Sequence, residues 1–402
     1  MDSKQKTTCN CPALKTILVL ICLAVINVNI NAQKIDSLKI HSGIIGKDRK
    51  VLIYLPWEYD HIPDSKFPVI YVLDAQARQY FDLVHSTLAF LNNSQFPMIV
   101  IGIVSDNRNK DFLPVNDFPE TYEHYKGNLG KADKFLGFIS NELVPFIDST
   151  YRTLPGRIAI GHSNGGTFLM YSFTQKPDLF DSYILISPNL AYDNDQPVRR
   201  LKKFNSLDLK QVKFVYMCHS NEGKLWKDWP AAREKAIKIL KKLDSDDKIH
   251  FVNQDFSATD NHSTVVPQGV YYGLKDLLAY RFFNADHLLE YYSDLFEKKI
   301  LTFTPDQLNQ MAYDFHFSGD NDGAIKILLW ANKLFPENLN LYDSLGEMYE
   351  HESNRDKAAY YYELYSSKLE ERKNTLTEQE YNALKAGITK RLESLEAKRG
   401  GK

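Results

Sequence analysis

The pentapeptide Gly161-His162-Ser163-Asn164-Gly165 stands between an apolar run, Arg157-Ile158-Ala159-Ile160, and the helix-compatible stretch Gly166-Thr167-Phe168-Leu169-Met170-Tyr171. Glycines on both sides of a serine at such a junction admit few backbones. The chain must leave a strand, turn sharply and begin a helix, and small residues let that helix pass close to the strand. A turn of this kind lifts the serine hydroxyl above the sheet edge at the cost of local strain. The pattern requires a strand-turn-helix unit and presents Ser163 for nucleophilic attack. Because short Gly/Ser strings also occur in ordinary turns, its weight depends on what surrounds it.

Between Lys34 and about Phe283, compact apolar runs alternate with helical patterns. Val51–Leu55, Val69–Leu73, Met98–Val104, Ile158–Ile160, Tyr183–Ile186, Phe214–Met217 and Ile249–Val252 read as buried strands, mostly bounded by Gly, Pro, Asn or Asp. The stretch from Ala132 to Ile147 carries Phe135, Phe138, Ile139, Leu143 and Phe146 at helical spacing. Alternation of this kind predicts an α/β sandwich with a mostly parallel sheet covered on both faces.

A chain of 402 residues is long for one domain, and both ends differ from the middle. Residues 1–32 read as a secretory signal: Lys4, Lys6 and Lys15 precede the apolar run Thr16–Ile26, and cleavage is expected after Ala32. The run is short for a membrane span, and bulky Ile21 before Cys22 argues against lipidation. Cleavage leaves Cys218 as the single cysteine, so no intramolecular disulfide is expected in the periplasmic or secreted chain. The formal charge moves from −2 to about −4, too small and mixed to imply a nucleic-acid partner.

After residue 300 the pattern becomes purely helical. An offset of about 34 residues pairs Ala312 with Gly346, Phe315 with Tyr349, Ala324 with Ala358 and Leu328 with Tyr362, while Pro336 closes the first unit. Small residues where helices cross and large ones in the groove between them predict two tetratricopeptide-like repeats across 301–402. Thr377 and Glu380 form a capping-box signature for a terminal helix carrying Tyr381, Leu384, Ile388, Leu392 and Leu395, which would cap the repeats. The expected division is a signal over 1–32, a catalytic domain over 33–300 and helical repeats beyond it, with a protein partner as their expected use.

A serine hydroxyl is a weak nucleophile unless a base takes its proton, and histidine suits that role. His262 lies in the polar loop Asp260–Pro267 after the last expected strand and is the expected base. His162 adjoins the serine, but side chains beside an elbow point away from the nucleophile. Glu222 follows the strand Phe214–Met217 and would orient the imidazole, with Asp193, Asp195, Asp228 and Asp255 as competing carboxylates and His219 as a surface residue. Two N–H donors are needed for the oxyanion, and the expected pair is Asn164 and Ala75. Trp226 and Trp229 are read either as an aromatic wall for an aryl or sugar-linked ester or as core packing. No His/Glu or Cys spacing makes a metal site compelling, and no cofactor is required.

Lys50–Pro56, Pro68–Asp74, Ile101-Gly102-Ile103, Asn107-Arg108, Asp111–Pro114, Glu142–Asp148, Gly161–Gly166 and His262–Pro267 together resemble the putative-esterase branch of the α/β-hydrolases. That branch includes enterochelin-type siderophore esterases, S-formylglutathione hydrolases, feruloyl esterases and mycolyltransferases. The resemblance spans about residues 40–283 and implies an α/β-hydrolase sandwich with Ser163 as nucleophile and His262 as base; Glu222 carries over less firmly. Relatives often have Asp-Gly where this chain has Asp74-Ala75. Arg108 matches a position near substrate in siderophore-esterase relatives, where it would hold an acidic or catecholate group; the other reading is a structural salt bridge. The expectation is an exported serine esterase acting on a siderophore or on an aryl or sugar-linked ester. The alternatives are an acyltransferase, a feruloyl or acetyl esterase acting on polysaccharide, and an interaction protein whose hydrolase domain is a scaffold.

Overall fold

In a computed structural model that describes residues 34–92 and 96–400, the centre of the chain is one eight-stranded sheet. The expected signal segment lies outside the described residues. The strands are β1 (Lys34–Ser42), β2 (Lys47–Leu55), β3 (Phe67–Val72), β4 (Ile99–Ile103), β5 (Thr153–His162), β6 (Ser182–Ile186), β7 (Lys213–His219) and β8 (Ile249–Asp255), in the spatial order β1-β2-β4-β3-β5-β6-β7-β8. β2 runs antiparallel to both neighbours, and every other pairing is parallel.

Successive side chains of a strand point to opposite faces, and here both faces are covered, so the central strands are apolar throughout. Ile70, Val72, Ile184, Ile186, Phe214 and Tyr216 face a core shared with the helices Arg78–Asn92 and Val265–Arg281. Their neighbours Val69, Tyr71, Tyr183, Leu185, Val215 and Met217 face the opposite core, where Phe135, Phe168, Leu169 and Leu240 pack. The first strand, β1, was not among the expected ones. It is an edge strand of mixed residues, largely exposed and held by its ladder to β2, and so lacks the apolar signature of a buried strand. The expected helix from Ala132 to Ile147 is interrupted by a π-helical turn over Ile139–Leu143, just ahead of Pro145, whose missing N–H cannot continue the α-helical ladder.

The chain ends in an α-helical extension. The helix pair Pro305–Phe317 and Asn321–Leu334 recurs 34 residues later as Leu339–His351 and Arg355–Glu371. Capping recurs with it: Thr304 and Asn338 cap the first helices, Asp320 and Asn354 the second, and Gly319 and Ser353 take the left-handed conformation between them. All eight residues paired at this offset in the sequence are buried. Gly346 is where the second pair crosses, and a Cβ there would lie 2.1 Å from the Tyr362 ring. Thr377 and Glu380 exchange hydrogen bonds at the start of the helix Glu378–Gly400, which buries Tyr381, Ile388 and Leu395. Through Leu288 and Leu308 the extension joins the apolar core on one face of the sheet.

Candidate active site

β5 ends at His162 and the helix Asn164–Gln175 begins two residues later, leaving Ser163 at the turn with φ 59° and ψ −122°. That conformation is strained for a residue with a Cβ, and neighbouring glycines permit the turn. A Cβ on Gly161 would lie 2.7 Å from the backbone of Gly165. The turn is pinned by main-chain bonds from the Ser163 N–H to the Ile186 carbonyl (2.9 Å) and from the Thr167 N–H to the Ser163 carbonyl (3.0 Å). The Asn164 N–H is the first of the helix and so has no acceptor in the helix's own ladder.

The loops after β7 and β8 bring Glu222 and His262 together. They are tied by the Asn221 N–H to Asp260 carbonyl bond (2.9 Å) and a bridge between Asn221 and Asn261, while the Asn261 side chain accepts the N–H groups of Ser263 and Thr264. His262 Nδ1 lies 2.8 Å from Glu222 Oε2. A carboxylate accepts only, so Nδ1 carries a proton, and in the neutral ring Nε2 then has the free lone pair. The Ser163 hydroxyl does not hydrogen-bond to Nε2 among the described contacts, a gap that free enzymes often close only with substrate.

Glu222 is buried, and its other oxygen accepts from Arg233 (2.7 Å), Ser220 (3.1 Å) and Ser187. Burial pushes its pKa up, but hydrogen bonds from His262 and Ser187 and the charges of His262 and Arg233 outweigh this and hold it at about 2. The competing carboxylates have other partners or places. Asp193 accepts the N–H groups of Asp117 and Phe118, Asp195 pairs with Lys235, Asp255 pairs with His219, and exposed Asp228 precedes the helix Trp229–Ser245.

His162 is buried, and that burial together with nearby His262 pushes its pKa down to about 3, so the ring is neutral. Its Nε2 bonds the His262 carbonyl at 2.9 Å and must be the donor, while Nδ1 accepts the Tyr80 hydroxyl at 3.0 Å. This ring ties the serine turn to the histidine loop. Sequence reasoning set it aside as base because side chains beside an elbow point away from the nucleophile, and its bridging role was not legible because neither partner adjoins it in the chain.

Two of the expected residues are engaged within the fold. The Ala75 N–H donates to the Ile103 carbonyl at 3.1 Å; among the described residues the next amide, Gln76, makes no backbone bond. The Arg108 fork closes on Asp74 at 2.9 and 3.0 Å, with a weaker reach to the His162 carbonyl at 3.4 Å. Asp74 is buried at φ 64°, so Arg108 braces the loop beside the serine rather than presenting a free fork. Trp226 and Trp229 both pack on His262, with ring centroids 4.7 and 5.2 Å from the imidazole. They also line a cleft of about 420 Å³ with Tyr125, Asn189 and Tyr192, so they belong to the wall and to the packing at once.

Sequence reasoning missed Arg233, Ser187 and Ser220, and chose Ala75 within the segment Asp74-Ala75-Gln76. Arg233 had one legible signal, its place beside the apolar stripe Ala232, Ala236 and Leu240 of the helix Trp229–Ser245. Among the described residues no group of His, Cys, Asp or Glu is arranged to hold a metal ion.

A sequence-family model described as a putative esterase matches residues 42–270. The chain is 30% identical over 170 residues to the ferri-bacillibactin esterase BesA of Bacillus subtilis, covering 37% of this chain and 56% of that protein. It is 36% identical over 116 residues to a siderophore enterobactin esterase of Emericella nidulans, covering 27% of this chain and 38% of that protein. It thus spans about half, or less, of the length of these two relatives. Among solved structures, an IroE-like serine hydrolase from Shewanella oneidensis superposes with a TM-score of 0.58 at 23% identity, covering 75% of this chain and all of that one. An uncharacterised protein from Capnocytophaga ochracea gives 0.55 at 18% identity over 90% of this chain and all of that one. These two likenesses are of fold.

Proposed function

This chain belongs to the putative-esterase family, and from that premise we propose that it is an exported serine esterase cleaving a carboxylic ester through Ser163, His262 and Glu222. The observation that carries the reading is the 2.8 Å bond from His262 Nδ1 to buried Glu222, on a loop tied to the strained Ser163 turn. His262 Nε2 takes the proton as Ser163 Oγ attacks the ester carbonyl, then returns it to the departing alcohol. Glu222 holds the tautomer and stabilises the imidazolium. The N–H groups of Asn164 and Gln76 receive the developing oxyanion, Gln76 replacing Ala75 because its amide makes no backbone bond. Water resolves the acyl-enzyme, and an acceptor alcohol in its place would make the reaction a transfer.

The names of the relatives favour siderophore esters as the first substrates to screen, with aryl and sugar-linked esters beside them. We read the helical extension as two tetratricopeptide-type units closed by the terminal helix, supported by the 34-residue recurrence of helices and caps. The test is hydrolysis of 4-nitrophenyl butyrate by the purified protein beside Ser163→Ala with a matched melting profile. Turnover confined to the parent supports the reading, and equal turnover in both overturns it.

A further inference from the structure

We propose that this site accepts an uncharged or cationic ester bearing a ring and discriminates against polyanionic ones; the proposal rests on the esterase reading above and narrows its substrate class. The cleft beside His262 has two kinds of wall. Trp226, Trp229, Tyr125 and Tyr192 make one side aromatic, while Glu120, Asp193 and Asp228 place carboxylates on it. Among the described residues no lysine or arginine lines it.

Lys224 and Lys227 adjoin this wall in the chain but line the neighbouring pocket, with Glu222 and Glu234, and two arginines near the cleft are engaged. Arg108 is closed on Asp74, and Arg199 reaches Asp117 at 2.7 Å and the Asp193 carbonyl at 3.0 Å. Buried Asp193 is answered by the N–H groups of Asp117 (2.7 Å) and Phe118 (3.1 Å) and by the Gln196 amide (3.0 Å). Glu120 and Asp228 are different, since both are exposed and neither has an ion-pair partner among the described residues. With His124 as the lining's titratable base, they place two carboxylates without a counter-charge on the cleft.

An anionic ring entering this cleft loses water without gaining a counter-charge and meets two like charges. An uncharged aryl or glycosyl group stacks on the Trp226 and Trp229 faces and donates its hydroxyls to carboxylate oxygens, the stronger kind of acceptor. A neutral ester of a phenol or sugar is the favoured class, and among siderophore esters the uncharged, metal-free ones are favoured over polyanionic ones.

Phenyl glucoside and phenyl glucuronide differ only in carrying a hydroxymethyl or a carboxylate, so they isolate charge. Each is titrated against Ser163→Ala protein and followed by tryptophan fluorescence. Expected is at least about fivefold tighter binding of the glucoside, with the gap falling to about twofold in a Glu120→Gln/Asp228→Asn double variant. Equal binding, tighter glucuronide binding, a gap unchanged in the double variant, or no response to either ligand overturns the proposal. Selective binding together with a parent enzyme inert toward 4-nitrophenyl butyrate would sink the esterase reading and leave the preference of the cleft standing.

Discussion

Replacing Glu222 by glutamine keeps the shape of the side chain and removes its charge. The carboxylate is buried and shared by His262 at 2.8 Å, Arg233 at 2.7 Å, Ser220 at 3.1 Å and Ser187. Burial opposes its ionisation, yet these partners hold its pKa at about 2 against an ordinary 4.5. At about 1.4 kcal/mol per pH unit, the difference amounts to about 3 kcal/mol of folding stability at neutral pH. Because the folded value is depressed, that stability is complete above the ordinary value and is lost as pH falls through the folded one. Glutamine forfeits it and leaves Arg233 buried without a counter-charge, and breaking a buried pair costs about 3–5 kcal/mol by a separate route of estimation. The chemical penalty is larger, because an amide stabilises no imidazolium and permits the wrong tautomer; kcat should fall by about 10⁴. The assay is kcat and KM on 4-nitrophenyl butyrate with urea unfolding of the same samples. A folded Glu222→Gln protein within about tenfold of the parent kcat would refute Glu222 as the acid, and an unchanged unfolding midpoint would refute the account of its burial.

Three other substitutions separate chemistry from scaffold. Arg108→Ala leaves buried Asp74 with the Gln76 amide but no counter-charge, so a loss of about 1–3 kcal/mol in unfolding is expected with kcat falling alongside; a raised KM at full stability would instead make Arg108 a substrate clamp. Gln76→Ala keeps the amide but loses the side-chain bonds to Asp74 (2.7 Å) and from the Ser105 N–H (2.9 Å), whereas Gln76→Pro also removes one oxyanion N–H and should lower kcat by about 10²–10³ below the alanine variant. Equal rates for those two variants would place the donor elsewhere. In the extension, Gly346→Ala puts a methyl into the buried Tyr362 ring, and thermal melts should show a loss of about 1–3 kcal/mol, as overpacking does; an unchanged melt would mean the two helices part without cost.

The expected strands coincide with β2 to β8; those from β3 to β7 are parallel and covered on both faces, and so read as apolar runs. The edge strand β1 carries no such run, and its ladder with β2 is a tertiary fact. The strand-turn-helix around Ser163 was legible for the same local reason, since close backbone approach requires glycine within a few residues. The oxyanion donors were less so. Whether Ala75 or Gln76 has a free amide depends on Ile103, in a strand that becomes a neighbour only when the sheet forms. Arg108 could be read toward substrate until Asp74, turned by its left-handed backbone, closed the fork. Arg233 and Ser187 meet Glu222 from different elements, and no spacing in the chain announces it.

Labelling with a fluorophosphonate, which captures only a serine activated for attack, tests the central claim most directly. Peptide mass spectrometry of the labelled protein should find one adduct, on the peptide containing Ser163, absent in Ser163→Ala and slowed by about 10³ or more in His262→Ala. A folded protein that takes no label, or one labelled on a different serine, would contradict the account.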